Sequence, residues 1–95
     1  DLWLLSQNKR SNHMYVYALE NSERNFYYIG SSKDLKRRVK EHTKGKAQST
    51  KAYIPLTLSA YIAVTTETKA KRLEKYFKTG SGKTILKKRV IQQRY

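Results

Sequence analysis

Two short runs of apolar and aromatic residues near the start of the chain predict a β-hairpin. The runs cover residues 14–19 and 26–29, and both are rich in β-branched, aromatic and aliphatic residues, which strands favour. The polar segment between them, residues 20–25, contains strong turn formers. Gly30 and the two serines that follow it are expected to end the second strand.

The pattern then changes to a helical period. Apolar positions recur at helical spacing from Leu35 and fade after His42. Ser32 or Asp34 is suited to cap the N-terminus of this helix. Residues 43–57 contain a glycine, the single proline and several lysines, so an exposed basic loop is predicted there.

The second half of the chain predicts one further strand and two helices. Residues 58–64 are apolar with strand character, and residues 65–67 resemble a helix cap before a new helical stripe. The segment 80–82, Gly-Ser-Gly, is expected to end that helix. Residues 83–91 are then expected to form a short basic helix. The predicted order is strand, strand, helix, strand, helix, helix.

The chain length allows one compact domain with a modest core, because it has 95 residues. We place that domain at 14–91 and a C-terminal tail at 92–95. Residues 1–13 have a short apolar start and a polar continuation without period. They are expected to be an extension or leader, although an extra helical turn is equally compatible with them.

Charge indicates a polyanionic partner. Lys and Arg number 21 against 7 Asp and Glu, which gives a net charge of +14 and a pI near 10.2. A charge magnitude of about 2 to 8 already suffices for the solubility of a small domain. Nucleic acid is the first candidate and an acidic membrane surface the second, while a merely solvated basic surface remains an alternative.

Absent features exclude several classes of protein. The chain has no Cys, which excludes a disulfide scaffold, a thiolate zinc site and a Cys nucleophile. No apolar run approaches the roughly 20 residues needed to span a bilayer. We therefore expect a cytoplasmic protein with no membrane partner, and the sequence indicates no obligatory protein partner.

The first helix carries two polar residues on its apolar stripe. Leu35, Arg38, Val39 and His42 recur at helical spacing and so share one face. Placing a cation and an imidazole at the edge of a core is unfavourable. Such residues usually occupy solvated positions, which this helix also offers, so their placement indicates a specific role. The alternatives are an Arg whose charged end reaches solvent and a structural His with satisfied hydrogen bonds.

The second predicted helix repeats this with a carboxylate. Glu74 shares a stripe with Ala70, Leu73 and Phe77. Its simpler interpretation is a surface ion pair with Lys78 one turn later. The two helices must pack on one small sheet. Their three polar residues therefore predict, taken together, a polar pocket that binds an anion.

The hairpin adds Tyr17 and Tyr28, which lie on adjacent strands. Their hydroxyls could face the same cleft. The alternative is that both are packing residues, because tyrosine is common in strands.

Taken together, these positions resemble the GIY-YIG nuclease family. The matching pieces are Tyr15-Val16-Tyr17, Tyr28-Ile29-Gly30, Arg38, His42 and Glu74. The likeness covers about residues 14–91 and is greatest to small stand-alone bacterial members, with UvrC's nuclease domain and homing endonucleases more distant. It implies an α+β fold with a three-stranded antiparallel sheet flanked by helices, in the order β-β-α-β-α-α. The first motif departs from the family name at its first two residues.

The resemblance also implies roles for these residues. Tyr17 would act as general base or relay the proton of the attacking water, and Tyr28 would orient water and phosphate. Arg38 would stabilise charge on the phosphorane oxygens, and His42 would assist proton transfer through its tyrosine partner. Glu74 would bind one Mg²⁺, or Mn²⁺, against the leaving 3′ oxygen.

Physical chemistry adds two conditions to this assignment. A free tyrosine has a pKa near 10, so Tyr17 can serve as a base only if Arg38 or the metal lowers that pKa. Many relatives carry an Asn after the helix that holds the metal-binding carboxylate, and residues 79–83 contain none. Another group would then have to support Tyr17 or the metal.

The resemblance implies a DNA endonuclease of low sequence specificity with a role in DNA repair or recombination, acting on the bacterial nucleoid. Basic residues concentrate in 33–51 and 69–94 and are expected to grip phosphates on either side of the cleft. The six nucleic-acid-binding candidates are Lys33, Lys36, Arg37, Lys40, Lys51 and Lys78. The main alternative is a non-catalytic basic nucleic-acid-binding module on the same fold, and a third is a ribosome-associated basic protein.

Overall fold

The computed structural model describes residues 13–91, with side chains described through residue 88. The predicted extension, apart from His13, and the tail at 92–95 lie outside the described residues. The elements are β1 (Met14–Asn21), β2 (Phe26–Ser32), α1 (Leu35–Thr43), β3 (Thr57–Val64), α2 (Glu67–Phe77) and α3 (Gly80–Ile85), followed by a π-helical turn (Leu86–Ile91). The α+β fold and the predicted element order are confirmed.

The sheet has three antiparallel strands in the order β2-β1-β3, so β1 is central and β2 is an edge strand. Tyr17 lies opposite Gly30 on β2 and opposite Tyr61 on β3. The pairing of β1 with β3 shifts register between Ala18 and Leu19. The central strand is buried along most of its length, and its residues therefore face a core on each side of the sheet.

The two faces of the sheet carry different helices. One core cluster joins β1 to α2 and the π-helical turn, and its buried members are Met14, Val16, Ala18, Ile29, Ala70, Phe77 and Leu86. The other joins β1 to α1 and the following loop, and its buried members are Tyr15, Tyr17, Leu19, Leu35, Val39 and Leu56. Because successive strand residues point to opposite faces, α1 and α2 lie on opposite sides of the sheet.

The hairpin is longer than predicted. Asn21 caps a short turn by accepting from the amide of Arg24, and Asn25 adopts a left-handed conformation with φ 51°. Gly30 and the two serines after it were expected to end β2, but they continue the strand because Ser31 still pairs with Val16 on β1. The strand ends at the last of these residues, Ser32. Gly30 therefore lies inside the strand, where a glycine can mark close approach of another group.

The basic loop between α1 and β3 is only partly exposed. Ala47, Thr50 and Leu56 are buried within it, although the whole of residues 43–57 was predicted to be exposed. A short 3₁₀ turn, Lys51–Tyr53, follows Thr50, and the loop covers the α1 side of the sheet. The buried residues explain the difference, since the loop supplies part of the second core cluster.

The Gly-Ser-Gly segment begins a helix instead of ending one. α2 ends at Phe77, and Thr79 caps α3 by accepting from the amide of Gly82 at 3.0 Å. A Cβ on Gly82 would lie 1.8 Å from the carbonyl oxygen of Tyr76, so the glycine allows α3 to pack on the end of α2. Within residues 13–91, no helix has the length and apolar character to cross a membrane.

Candidate active site

Tyr17 and His42 form the centre of a buried polar cluster on the α1 side of the sheet. The Tyr17 hydroxyl lies 3.2 Å from Nε2 of His42. Tyr17 projects from the central strand, and His42 projects from the last turn of α1, where it is 0 % exposed. The position of His42 on the apolar stripe with Leu35 and Val39 therefore places its ring inside the fold.

Arg38 lies one turn before His42 and reaches the same cluster. Its Nη2 is 3.4 Å from Nε2 of His42, and its Nη1 forms an ion pair with Glu41. The Arg38 side chain is half-buried, so the guanidinium lies between the buried pair and solvent. A guanidinium donates hydrogen bonds and never accepts them, so the contact with Arg38 is a hydrogen bond in the tautomer that leaves the lone pair of Nε2 free.

Tyr28 completes the aromatic wall of the cluster. It lies on β2 beside Tyr17, with ring centroids 6.3 Å apart, and its ring centroid is 4.9 Å from that of His42. The side chain is half-buried. The structure therefore brings Tyr17, Tyr28, Arg38 and His42 together on one face of the sheet.

Gly30 makes room for the Tyr17 side chain. A Cβ at this position would lie 2.5 Å from the Tyr17 hydroxyl oxygen and 2.7 Å from Cζ. No side chain larger than glycine fits there without moving the tyrosine ring. The glycine therefore has a role in the site that is separate from its pairing in β2.

The environment keeps Tyr17 protonated and His42 neutral. Burial raises the pKa of Tyr17, the neighbouring Tyr28 adds to this, and Arg38 lowers it by less than the total rise. Burial lowers the pKa of His42 and the charge of Arg38 lowers it further, while Glu41 opposes them. Arg38 thus acts in the direction expected from the sequence, but it does not bring the pKa of Tyr17 below its ordinary value.

Glu74 lies on the other face of the sheet. Its Oε1 accepts from the Ser31 hydroxyl at 2.7 Å, and its Oε2 lies 2.8 Å from Nζ of Lys78. Lys71 lies 3.6 Å from Oε1. Burial raises the pKa of Glu74, but the hydrogen bonds of Lys78 and Ser31 and the charges of the two lysines outweigh it, so the pKa lies below its ordinary value. Glu74 is therefore an ionised carboxylate, and the i,i+4 pair with Lys78 considered above is present.

The edge strand β2 separates the two groups. Tyr17 faces Gly30, and the next residue, Ser31, bonds to Glu74 on the opposite face. Among the described residues, no hydrogen bond or ion pair joins Glu74 to Tyr17, Arg38 or His42. The negative charge of Glu74 nevertheless contributes to the raised pKa of Tyr17. The two groups are thus electrostatic neighbours across the edge strand β2.

The six predicted nucleic-acid contacts are all exposed. Lys33, Lys36, Lys40 and Lys51 form no ion pair with any described residue, whereas two of the candidates are already engaged. Arg37 pairs with Glu41 at 2.8 Å and with Asp34 at 3.5 Å. Lys78 pairs with Glu74, so its charge is shared between the carboxylate and any phosphate it meets.

Sequence reasoning missed two partners of the site. Thr50, from the loop after α1, lies 2.6 Å from Nδ1 of His42 and is 0 % exposed. Ser31 on β2 bonds to Glu74. Neither residue falls on a helical stripe, so periodicity gave no signal for them.

Comparison with known proteins gives one finding. The model of the GIY-YIG catalytic domain family matches residues 13–89, which include all of the elements that build the cluster. Comparisons with curated proteins and with solved structures gave no match.

Proposed function

Because the chain belongs to the GIY-YIG catalytic domain family, whose members are nucleases, we propose that it is a metal-dependent endonuclease that hydrolyses phosphodiester bonds in DNA. The observation that carries the proposal is the cluster of Tyr17, His42 and Arg38, in which a neutral imidazole and a guanidinium meet one tyrosine. Hydrolysis needs an activated water, compensation of new negative charge and stabilisation of the leaving oxygen.

Tyr17 and His42 would activate the water together. With Nε2 of His42 as the acceptor, the Tyr17 hydroxyl would donate to it across 3.2 Å. As the water oxygen bonds to phosphorus and the bond to the 3′ oxygen breaks, the water gives a proton to Tyr17 and Tyr17 passes its own to His42. This relay requires no free tyrosinate. The starting protonation states suit it, because the raised pKa of Tyr17 keeps the hydroxyl protonated and the lowered pKa of His42 keeps the ring neutral and able to accept a proton.

Arg38 would compensate the charge that grows on the phosphate oxygens. Its side chain is half-buried beside the relay, where a fixed cation acts more strongly than in open water. Tyr28 would orient the phosphate and the water, because its ring forms the wall next to His42.

Glu74 would hold one Mg²⁺ or Mn²⁺ ion. The donor chemistry fits: the carboxylate is ionised, its side chain is 17 % exposed, and Ser31 fixes one oxygen. Among the described residues there is no cluster of three or more metal-ligating side chains, so water and phosphate oxygens would complete the shell, as Mg²⁺ commonly allows. When bound, such an ion would supply Lewis-acid stabilisation of the departing 3′ oxygen.

The proposed substrate is DNA, which the enzyme would cut with low sequence specificity. Lys33, Lys36, Lys40 and Lys51 are exposed and would contact phosphates, together with the partly engaged Arg37 and Lys78. Phosphate contacts carry affinity and no direct sequence information. A role in DNA repair or recombination would suit such an enzyme.

A cleavage assay tests the proposal. Plasmid and labelled oligonucleotides are incubated with Mg²⁺, Mn²⁺ or EDTA and with the wild type, Glu74→Gln or the control Glu67→Gln. Glu67 lies on the same helix at its exposed first turn. Metal-dependent cutting that is lost only in Glu74→Gln, with DNA binding retained, is the expected result. Equal binding with no cutting by any of the three proteins would instead establish a non-catalytic binding module.

A further inference from the structure

Thr50 is a buried polar side chain in direct contact with the proposed relay. Its hydroxyl oxygen lies 2.6 Å from Nδ1 of His42, and both residues are 0 % exposed. Buried polar groups in native proteins are almost always hydrogen-bonded, since an unpaired one is costly. The contact is therefore a buried hydrogen bond on the side of the His42 ring that faces away from Tyr17.

The partners of His42 determine which ring nitrogen carries its proton. Nε2 faces Nη2 of Arg38 at 3.4 Å and the Tyr17 hydroxyl at 3.2 Å. Since the guanidinium can only donate, both contacts are hydrogen bonds when Nε2 offers its lone pair. A neutral imidazole has one N–H, so that proton lies on Nδ1, where Thr50 is the acceptor.

We propose that Thr50 is a positioning residue for catalysis, whose hydroxyl accepts from Nδ1–H of His42 and so keeps Nε2 free to take the proton of Tyr17. The hydrogen bond made by one imidazole nitrogen sets the role of the other. Without this acceptor, the ring gains access to the tautomer with Nε2–H, which presents Tyr17 with a donor. The catalytic consequence rests on the proposed function, whereas the state of the His42 ring does not.

The backbone around Thr50 holds its hydroxyl in place. The amide of Thr50 donates to the carbonyl of Ala47 at 3.2 Å, and its carbonyl accepts from the amide of Tyr53 at 2.9 Å. Asn21 on β1 donates to the carbonyl of Tyr53 at 2.8 Å, which fastens the turn to the sheet. Lys51, the next residue, is exposed, so a single turn positions both the His42 acceptor and a proposed phosphate contact.

Nitrogen NMR on the full chain tests the proposal without a substrate. Long-range ¹H–¹⁵N correlation spectra identify the protonated nitrogen of a histidine ring, and His13→Gln assigns the signals because the chain has two histidines. The wild type should show His42 as the Nδ1–H tautomer. Thr50→Val removes the acceptor at nearly constant volume, Thr50→Ser retains it, and Thr43→Val is the matched control at an exposed threonine.

In Thr50→Val, we expect the Nε2–H tautomer to become populated and cleavage to slow by about a hundredfold, the lower end of what acid–base assistance contributes. Thr50→Ser should restore the Nδ1–H tautomer and most of the rate, and Thr43→Val should change neither. A wild-type His42 with its proton on Nε2 would overturn the proposal even if Thr50→Val did not fold. A folded Thr50→Val with unchanged tautomer would also overturn it. If Thr50→Val shifts the tautomer but the wild type cuts no DNA, the result would support the effect of Thr50 on the His42 ring and refute the nuclease proposal.

Discussion

Tyr17 and His42 meet across the interface between the central strand and the first helix, with 3.2 Å between the hydroxyl oxygen and Nε2. Each is held by a different element, so the distance depends on how α1 packs on the sheet. Leu35 and Val39 supply that packing through the same core cluster as Tyr17. The hydrophobic stripe of α1 therefore sets the distance between the two groups of the proposed relay.

Removing the Tyr17 hydroxyl should slow cleavage strongly while leaving the fold intact. Tyr17→Phe is expected to lower the cleavage rate by about 10²- to 10⁴-fold, since it removes the group that passes the proton. Tyr15→Phe is the matched control, because Tyr15 lies on the same face of β1 and packs edge-on against Tyr61 at 6.4 Å. Single-turnover rates and DNA affinity are measured for both variants. A Tyr17→Phe protein that cuts like the wild type would exclude the relay.

Adding one methyl group at Gly30 should displace the Tyr17 ring. A Cβ there would meet the hydroxyl oxygen at 2.5 Å, and a misplacement near 1 Å at a reacting group can cost about a hundredfold in rate. Overpacking of this kind also costs about 1 to 3 kcal/mol of stability.

Gly80→Ala is the matched control for this substitution, since no atom lies within 4 Å of the added methyl. It should leave both the rate and Tm close to those of the wild type. Cleavage and thermal unfolding are measured on both variants. Wild-type cleavage by Gly30→Ala would show that Tyr17 need not occupy its observed position.

Lowering the pH should reduce the stability of the fold in two separate pH ranges. Burial and Arg38 lower the pKa of His42 below its ordinary value of 6.5. On acidification, His42 therefore binds a proton at a higher pH in the unfolded chain than in the folded protein. Stability linked to His42 is complete above 6.5 and is lost as the pH falls from there towards its folded pKa. Cleavage should be flat at neutral pH and decline once His42 is protonated.

The second range lies below the ordinary carboxylate value of 4.5. Arg38 lowers the pKa of Glu41 by its hydrogen bond, and the pKa of Glu74 is also lowered despite its burial. Their contribution to stability is therefore present above 4.5 and lost as the pH falls through their folded pKa values. Tm measured against pH checks both ranges. His42→Gln should remove the slope that begins as the pH falls below the ordinary histidine value of 6.5, and His13→Gln should retain it; equal slopes in all proteins would contradict this.

Lys78 should compete with the metal ion for Glu74. Its Nζ lies 2.8 Å from Oε2, so a divalent ion bound to that oxygen must displace it. Because an exposed ion pair is worth at most about 1 kcal/mol, Lys78→Gln should lower the Mn²⁺ concentration for half-maximal cleavage by up to about fivefold.

Lys75→Gln on the same helix is the control for this prediction, as Lys75 has no ion pair with a described residue. The Mn²⁺ dependence is measured at saturating DNA, so that a weaker phosphate contact does not enter. A higher Mn²⁺ requirement in Lys78→Gln would show instead that the lysine assists metal binding.

Helical periodicity was sufficient to identify the unusual positions of Arg38, His42 and Glu74. A residue's place on a helix face depends only on spacing within the element, so it can be predicted from the sequence. How the polar faces of α1 and α2 are placed relative to each other depends on the path of the chain around the sheet. The stripes predicted a common pocket, and the structure adds that Glu74 acts on Tyr17 through its charge from the α2 side of β2.

Contacts between distant segments were the least predictable part of the site. Thr50 reaches His42 because the loop turns back over α1, and no local pattern encodes that turn. Gly82 was interpreted as a helix stop since glycine is unfavourable in helix interiors, but its close packing on Tyr76 overrides that preference. In both cases a tertiary contact decides what the local sequence leaves open.

Basic residues on α1 should differ in their contribution to DNA binding according to their existing partners. Lys36 and Lys40 are exposed and form no ion pair with a described residue, whereas Arg37 is bound by Asp34 and Glu41. Removing one cation that neutralises a phosphate lowers the slope of log K against log salt by about 0.9. We expect Lys36→Gln and Lys40→Gln to reduce that slope more than Arg37→Gln does.

Fluorescence anisotropy with a labelled duplex in EDTA, at several salt concentrations, measures these slopes without cleavage. Thr43→Val on the same helix provides the baseline, since it changes no charge. If the slopes for Lys36→Gln and Lys40→Gln equal the baseline, DNA does not lie along the exposed face of α1. If Arg37→Gln has the largest effect, the ion pairs of Arg37 open on binding and its guanidinium is a principal phosphate contact.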